Sequence, residues 1–217
     1  MKREYYFVIL LFMLLACQSA TEHSDHIGNR DSTQTESNDT VFIAIQPFTG
    51  MDTAFCTLAK REIEAFYTVT AEVLKPIDLP AIAHYKPRNR YRADTLIDFL
   101  YVIKPKKYLS VIGLTHRDIS VTKGEYPDWG VLGLGFMPGN ACIVSTFRLK
   151  RNVSVEKLRE RFAKVILHEL GHNFGLDHCT SPKCLMRDAE GTVKSVDEEE
   201  KSLCPECKMK LSNILKR

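Results

Sequence analysis

The chain alternates between apolar runs and polar stretches in a way that divides it before any chemistry is considered. Lys2 and Arg3 precede an apolar run from Tyr5 to Leu15. A run of about 11 residues is too short to span a bilayer comfortably but suits the core of a signal segment, expected over 1–16. Residues 18–40 contain one large aliphatic side chain, Ile27, and no aromatic. Such a stretch cannot offset its ordering entropy by burial, so 17–40 is expected to be a flexible tether. The folded domain is expected over 41–217.

Within that domain Val41–Ile45 reads as a strand closed by Pro47, and Ala54–Tyr67 as a helix capped by Thr53 or Asp52. Thr68–Leu74 is strand-like and stops at Pro76. Ala93–Ile103 carries Leu96, Ile97, Leu100 and Tyr101 at helical spacing, and Tyr108–Leu114 reads as a buried strand. This β-α-β-α-β order predicts an α/β fold on a mostly parallel sheet. Val131–Ser145 reads as two strands around Pro138-Gly139-Asn140. Asn152–Leu176 reads as a long helix, with Ser154 as its cap, Val155, Leu158, Phe162, Val165 and Ile166 on one face, and Gly175 where it should stop. No internal repeat is visible.

Charge changes this picture little. With 30 Lys and Arg against 27 Asp and Glu the net charge is +3, and no basic stripe interleaved with aromatics points to nucleic acid. The acidic run Asp197-Glu198-Glu199-Glu200 reads as a solvated face.

The end of the long helix carries the chemistry: His168-Glu169-Leu170-Gly171-His172-Asn173-Phe174-Gly175-Leu176-Asp177-His178. Histidines four apart stand above one another on a helix, so both can reach one Zn²⁺ at about 2.0–2.1 Å. A left-handed Gly175 would turn the chain back and let His178 supply a third nitrogen. Three protein ligands leave a fourth position for water, the arrangement of a catalytic site. Glu169 is not needed as a ligand and can serve as general base toward that water.

Seven cysteines are unevenly placed. Cys17 follows Leu14-Leu15-Ala16, which resembles a bacterial lipobox. That resemblance implies cleavage before Cys17, lipidation of its thiol and attachment at the cell envelope, with Gln18 at the sorting position pointing to the outer membrane. Cys179, Cys184, Cys204 and Cys207 can close a tetrahedral structural zinc site that clips the small C-terminal part to the domain. Two disulfides are the alternative in an oxidising compartment. Cys56 and Cys142 are either buried thiols or a disulfide.

The full pattern, H-E-x-x-H-x-x-G-x-x-H followed by Cys179, Cys184, Met186 and a closing Cys204-x-x-Cys207, resembles the archaemetzincins, a family of the metzincin clan of zinc peptidases. The likeness extends more weakly to Val111–Thr115, Asp118 and the Ser145-x-x-Arg148-Leu149 stretch. It implies a metzincin fold: a twisted sheet over the active-site helix and an antiparallel edge strand flanking the cleft. It implies Met186 as the Met-turn methionine beneath the zinc and two zinc ions per chain. The leader and lipobox depart from the soluble form expected of the family, and Arg187 and Asp188 leave no tyrosine ligand after Met186.

The expected function is hydrolysis of peptide bonds in a peptide or protein substrate by a Glu169-activated zinc-bound water, in a monomer anchored to the membrane by lipid. Aminopeptidase and endopeptidase action are both open. The alternative is a two-zinc envelope binding protein with an unused or blocked cleft. His84 and His116 could contact substrate. Gly133 and Gly135 either let a substrate backbone approach the edge strand or mark a turn or bulge.

Overall fold

The computed structural model describes residues 41–189 and 191–215. The expected signal segment, the Cys17 lipid site and the tether lie outside the described residues. Nine strands and six helices follow in chain order: β1 Phe42–Pro47, α1 Thr53–Tyr67, β2 Thr70–Val73, β3 His84–Tyr85, β4 Arg90–Arg92, α2 Ala93–Ile103, β5 Ser110–Thr115, β6 Ile119–Lys123, β7 Tyr126–Val131, β8 Gly133–Gly135, β9 Ala141–Ser145, α3 Thr146–Leu149, α4 Val155–Asn173, α5 Val193–Glu198 and α6 Pro205–Leu215. Among the described residues no helix is long and apolar enough to cross a membrane.

The main sheet has the order β2-β1-β5-β9-β8, all parallel except β8, which runs antiparallel to β9 at the edge. β1, β5 and β9 are buried on both faces, which is why each reads as a continuous apolar run. Strand alternation divides them between two cores. Ile43, Ile45, Ile112, Leu114 and Val144 face α1 and α4, whereas Ala44, Val111 and Ile143 face α2. The mostly parallel α/β sheet and its antiparallel edge follow the expectation. Asp52 is the cap of α1, its carboxylate accepting from the Ala54 N–H at 2.8 Å.

A second sheet, β3-β4-β6-β7, is built from residues 84–92 and 119–131, where the sequence pattern gave no element short of Val131 itself. Its strands are short, and Pro127 within β7 argues against a strand; β7 lies at the sheet edge, where proline is tolerated. An ion network ties this sheet to the main one. Asp118 accepts from Arg148 Nε at 2.7 Å and Nη2 at 3.0 Å and pairs with Arg90 at 2.8 Å. Arg90 in turn reaches Asp128 at 2.7 Å. Asp118 and Arg148 thus have a partner in each other, across the turn that feeds β6 and the segment that feeds α4.

Candidate active site

α4 opens with Ser154 Oγ accepting from the Lys157 N–H at 3.3 Å and runs beneath the main sheet. Its C-terminal half, from Arg161 to Asn173, is buried. Asn173 fixes that end: its Oδ1 accepts from Ser110 Oγ at 2.6 Å, and its Nδ2 donates to the carbonyls of Phe136 and Ala141 at 3.0 Å each. Tyr67 of α1 donates its hydroxyl to the Leu167 carbonyl from the other side.

Gly175 sits at φ +90°, a conformation that costs glycine little, and the chain reverses there. The Gly175 and Leu176 N–H groups cap the carbonyls of His172 and Gly171 at 2.8 and 2.9 Å. The reversal brings His178 back to the helix, as the spacing predicts. His168 and His172 meet Nε2 to Nε2 at 3.0 Å, and His172 and His178 at 3.2 Å. All three ligand atoms lie within 4.8 Å of one another.

The tautomers follow from the second nitrogens. His168 Nδ1 lies 2.7 Å from the Leu185 carbonyl, and His172 Nδ1 lies 2.7 Å from the Leu176 carbonyl. A carbonyl can only accept, so both Nδ1 atoms carry the proton and both Nε2 atoms present a lone pair. Lone pairs facing each other at this distance repel unless a cation stands between them. Burial holds His168 neutral, its pKa pushed down to about 3 by desolvation and then by His172. This donor set fits a tetrahedral Zn²⁺ with one position left over.

Glu169 is buried and makes no hydrogen bond to any described residue. It lies under β8, where a Cβ on Gly133 would stand 2.6 Å from Glu169 Oε1. Gly133 and Gly135 are therefore small because Glu169 needs the room. Burial pushes the Glu169 carboxyl up to about 8. Met186 is fully buried against the same helical turn, its sulfur 2.5 Å from where a Cβ on Gly171 would be.

The three histidines, Glu169, Gly133 and Gly135 line a cleft of about 600 Å³. Trp129, Leu132 and Leu134 form one wall, α4 the floor, and the segment after Met186, with Asp188, Ala189, Val196 and Glu199, the other wall. Neither His84 nor His116 reaches it: His84 Nε2 faces Asn89 Oδ1 at 2.9 Å, and His116 packs on Gly50.

The sulfurs of Cys179, Cys184, Cys204 and Cys207 also lie within 4.8 Å of one another. None of the six described cysteines is in a disulfide, Cys56 and Cys142 included. The Cys179 to Cys204 sulfur separation is 3.7 Å, close to the ~3.8 Å edge of a tetrahedron with ~2.3 Å Zn–S bonds. Backbone N–H groups of Ser181 and Cys204 point at Cys179 and Cys184 sulfurs at 3.4 Å each. The backbone N–H of Cys207, opening α6, helps draw the Cys204 thiol down to about 7. Four converging sulfurs, three of them with backbone N–H donors, fit a second, closed metal site, although burial pushes the Cys179 and Cys207 thiols up.

Several participants carry no signal in the sequence. The Leu185 and Leu176 carbonyls are backbone groups that any residue supplies. Asn173 and Trp129 belong to no motif. The acidic run, expected to be a solvated face, is a correction: Glu199 is only 4% exposed, and Asp197 is held by Arg161 at 2.6 Å.

Comparison with known proteins gives a family and a fold. A family profile described as Peptidase family M54 matches residues 68–213. An archaemetzincin of Halobacterium salinarum is 31% identical over 157 residues, 69% of this chain and 87% of the relative. The crystal structure of an archaemetzincin from Methanopyrus kandleri superposes with a TM-score of 0.72 at 29% identity, covering 84% of this chain and 99% of that one. A second archaemetzincin structure, from Archaeoglobus fulgidus in complex with malonate, gives 0.68 at 28% identity over 78% and 99%.

Proposed function

The chain belongs to peptidase family M54, the archaemetzincins, and is a zinc metallopeptidase; from that premise we propose that it works as a metzincin with His168, His172 and His178 as zinc ligands and Glu169 as general base. The observation that carries the reading is the convergence of three imidazole Nε2 atoms, two of them fixed as lone-pair donors, beside a buried carboxylate that is committed to no other partner.

His168, His172 and His178 would hold the zinc, which would supply Lewis acidity toward the scissile carbonyl and the attacking water. Glu169 takes the proton of that water on its carboxylate and returns it to the leaving amine. Its burial raises its appetite for the proton, and the charge of a nearby cation counters that rise. β8 is a sheet edge on the cleft wall, so its free backbone groups can pair with an extended peptide. Met186 keeps the helical turn of His168 and His172 packed from below. A second zinc held by Cys179, Cys184, Cys204 and Cys207 ties α6 to the segment after His178.

The binding-protein alternative has less support, because the space before the imidazoles is open and Glu169 would have no task in it. Metal content and turnover on a mixed peptide library test the reading together. Protein with zinc should cleave, chelated protein should not, and added zinc should restore the loss. Zinc-loaded protein that cleaves nothing in the library would refute it.

A further inference from the structure

Glu199 is the one cleft-lining carboxylate apart from Glu169 that is both buried and without a hydrogen bond among the described residues. Its Oε2 is shielded from solvent and unpartnered. It shares the cleft with Val165 of α4, Val196 of α5 and Ala189. Val165 lies three and four residues before His168 and Glu169, on the same helical face and about one 5.4 Å turn away. Glu199 therefore belongs to a recess beside the reacting centre.

The nearby cations are engaged elsewhere. Lys164 Nζ donates to the carbonyls of Val196 and Glu199 at 2.9 and 2.7 Å and pairs with Glu160 at 2.9 Å. Arg187 bonds the Pro182 carbonyl and pairs with Glu198 at 3.3 Å. Both lower the cost of a charge on Glu199, and neither bonds its carboxylate. Desolvation still pushes Glu199 up to about 7. A buried carboxylate lacking donors gains most from a ligand that brings its own. The aliphatic Val165, Val196 and Ala189 suit the methylene stem of a long cationic side chain.

Resting on the peptidase reading above, we propose that Glu199 ends a subsite that receives the lysine or arginine side chain of a substrate residue beside the scissile bond. The second source of a cation, the substrate α-amino group, is separated by the test.

The test uses zinc-loaded protein and peptides carrying Lys, Arg or norleucine at each position flanking the cleaved bond, with free and acetylated N-termini. The parent should cleave the Lys or Arg peptide at least about tenfold faster in kcat/KM than the norleucine peptide, the scale set by satisfying a buried polar group. Glu199→Gln should bring that ratio near unity, and acetylation should not change the parent's ratio. A ratio near unity in the parent, a ratio kept in Glu199→Gln, or a preference that follows the free amino terminus each overturns the proposal. Binding gives a readout without turnover. Trp129, the only tryptophan, lines the cleft, so its fluorescence can follow lysine hydroxamate and norleucine hydroxamate. The lysine form should bind about tenfold tighter to the parent and equally to Glu199→Gln. Equal binding to the parent refutes the subsite. Discrimination without cleavage of any peptide would refute the peptidase reading and keep the subsite.

Discussion

Two backbone carbonyls, those of Leu176 and Leu185, decide which nitrogen of His172 and His168 is free for a metal. His178, the third proposed ligand, is half exposed and lies 3.8 Å from Asp188, so it is the least constrained of the three. Glu169 differs from all of them in having no bond to lose. These differences separate two substitutions. Glu169→Gln keeps volume and should leave zinc content near normal, while turnover falls by about 10² or more, the scale of a lost general base. His178→Ala should lower zinc occupancy and turnover together. Equal turnover in Glu169→Gln and the parent would end the assigned mechanism. Glu199 gives a stability prediction of its own. A folded-state pKa of about 7, above the ordinary carboxylate value, means that its contribution is fully present only below about pH 4.5 and is lost as pH rises through 7. Glu199→Gln removes that loss. Its unfolding free energy should gain on the parent's increasingly between pH 5 and pH 7 and level off above, by an amount on the order of 3 kcal/mol. A pH-independent difference would show that Glu199 is not buried as charge.

At the scale of elements, α4 carries most of what the pattern of the chain could show. The mostly apolar runs of β1, β5 and β9 and the spaced apolar faces of α1, α2 and α4 were readable because each keeps to a simple pattern. The strands of the second sheet were not, because β3 and β4 are two and three residues long and β7 contains Pro127. Glu199 was hidden for a different reason: an acidic run reads as solvated, and only the packing of α5 on α4 buries one member of it. The same packing makes Gly171 a test of the helix floor. Gly171→Ala is favourable by helix propensity, yet its methyl would collide with Met186. It should destabilise the domain by about 1–3 kcal/mol, the cost of overpacking a core, with weaker zinc retention. Unchanged thermal denaturation would mean that Met186 has somewhere else to go.

Across the whole molecule, the histidine and cysteine constellations were readable because their spacing follows from coordination geometry, whereas the cleft walls come from residues scattered between Val121 and Glu199. Two zinc ions per chain are expected, and Cys204→Ser should lose one and lower Tm; one zinc with two disulfides by mass spectrometry would contradict this. Envelope attachment rests on Cys17 alone. Full-length protein should fractionate with membranes and take up a fatty-acid analogue, and Cys17→Ser should abolish the label.

The Leu185 carbonyl that holds His168 lies between Cys184 and Met186, inside the loop gathered by the four sulfurs. Its own N–H is bonded to the Ser202 carbonyl at 2.9 Å, and the Met186 carbonyl accepts from Cys179 at 2.8 Å. The two candidate metal sites are thereby linked, because closing the cysteine cluster steadies the loop that carries the orienting acceptor of His168. From this we expect apoprotein to take up metal at the thiolates first and at the imidazoles second. His172→Ala should leave the first event untouched, whereas Cys204→Ser should also weaken the second by about 10–100-fold, the scale of a lost orienting partner. In stopped-flow refolding with limiting zinc, peptidase activity should lag behind thiolate absorbance.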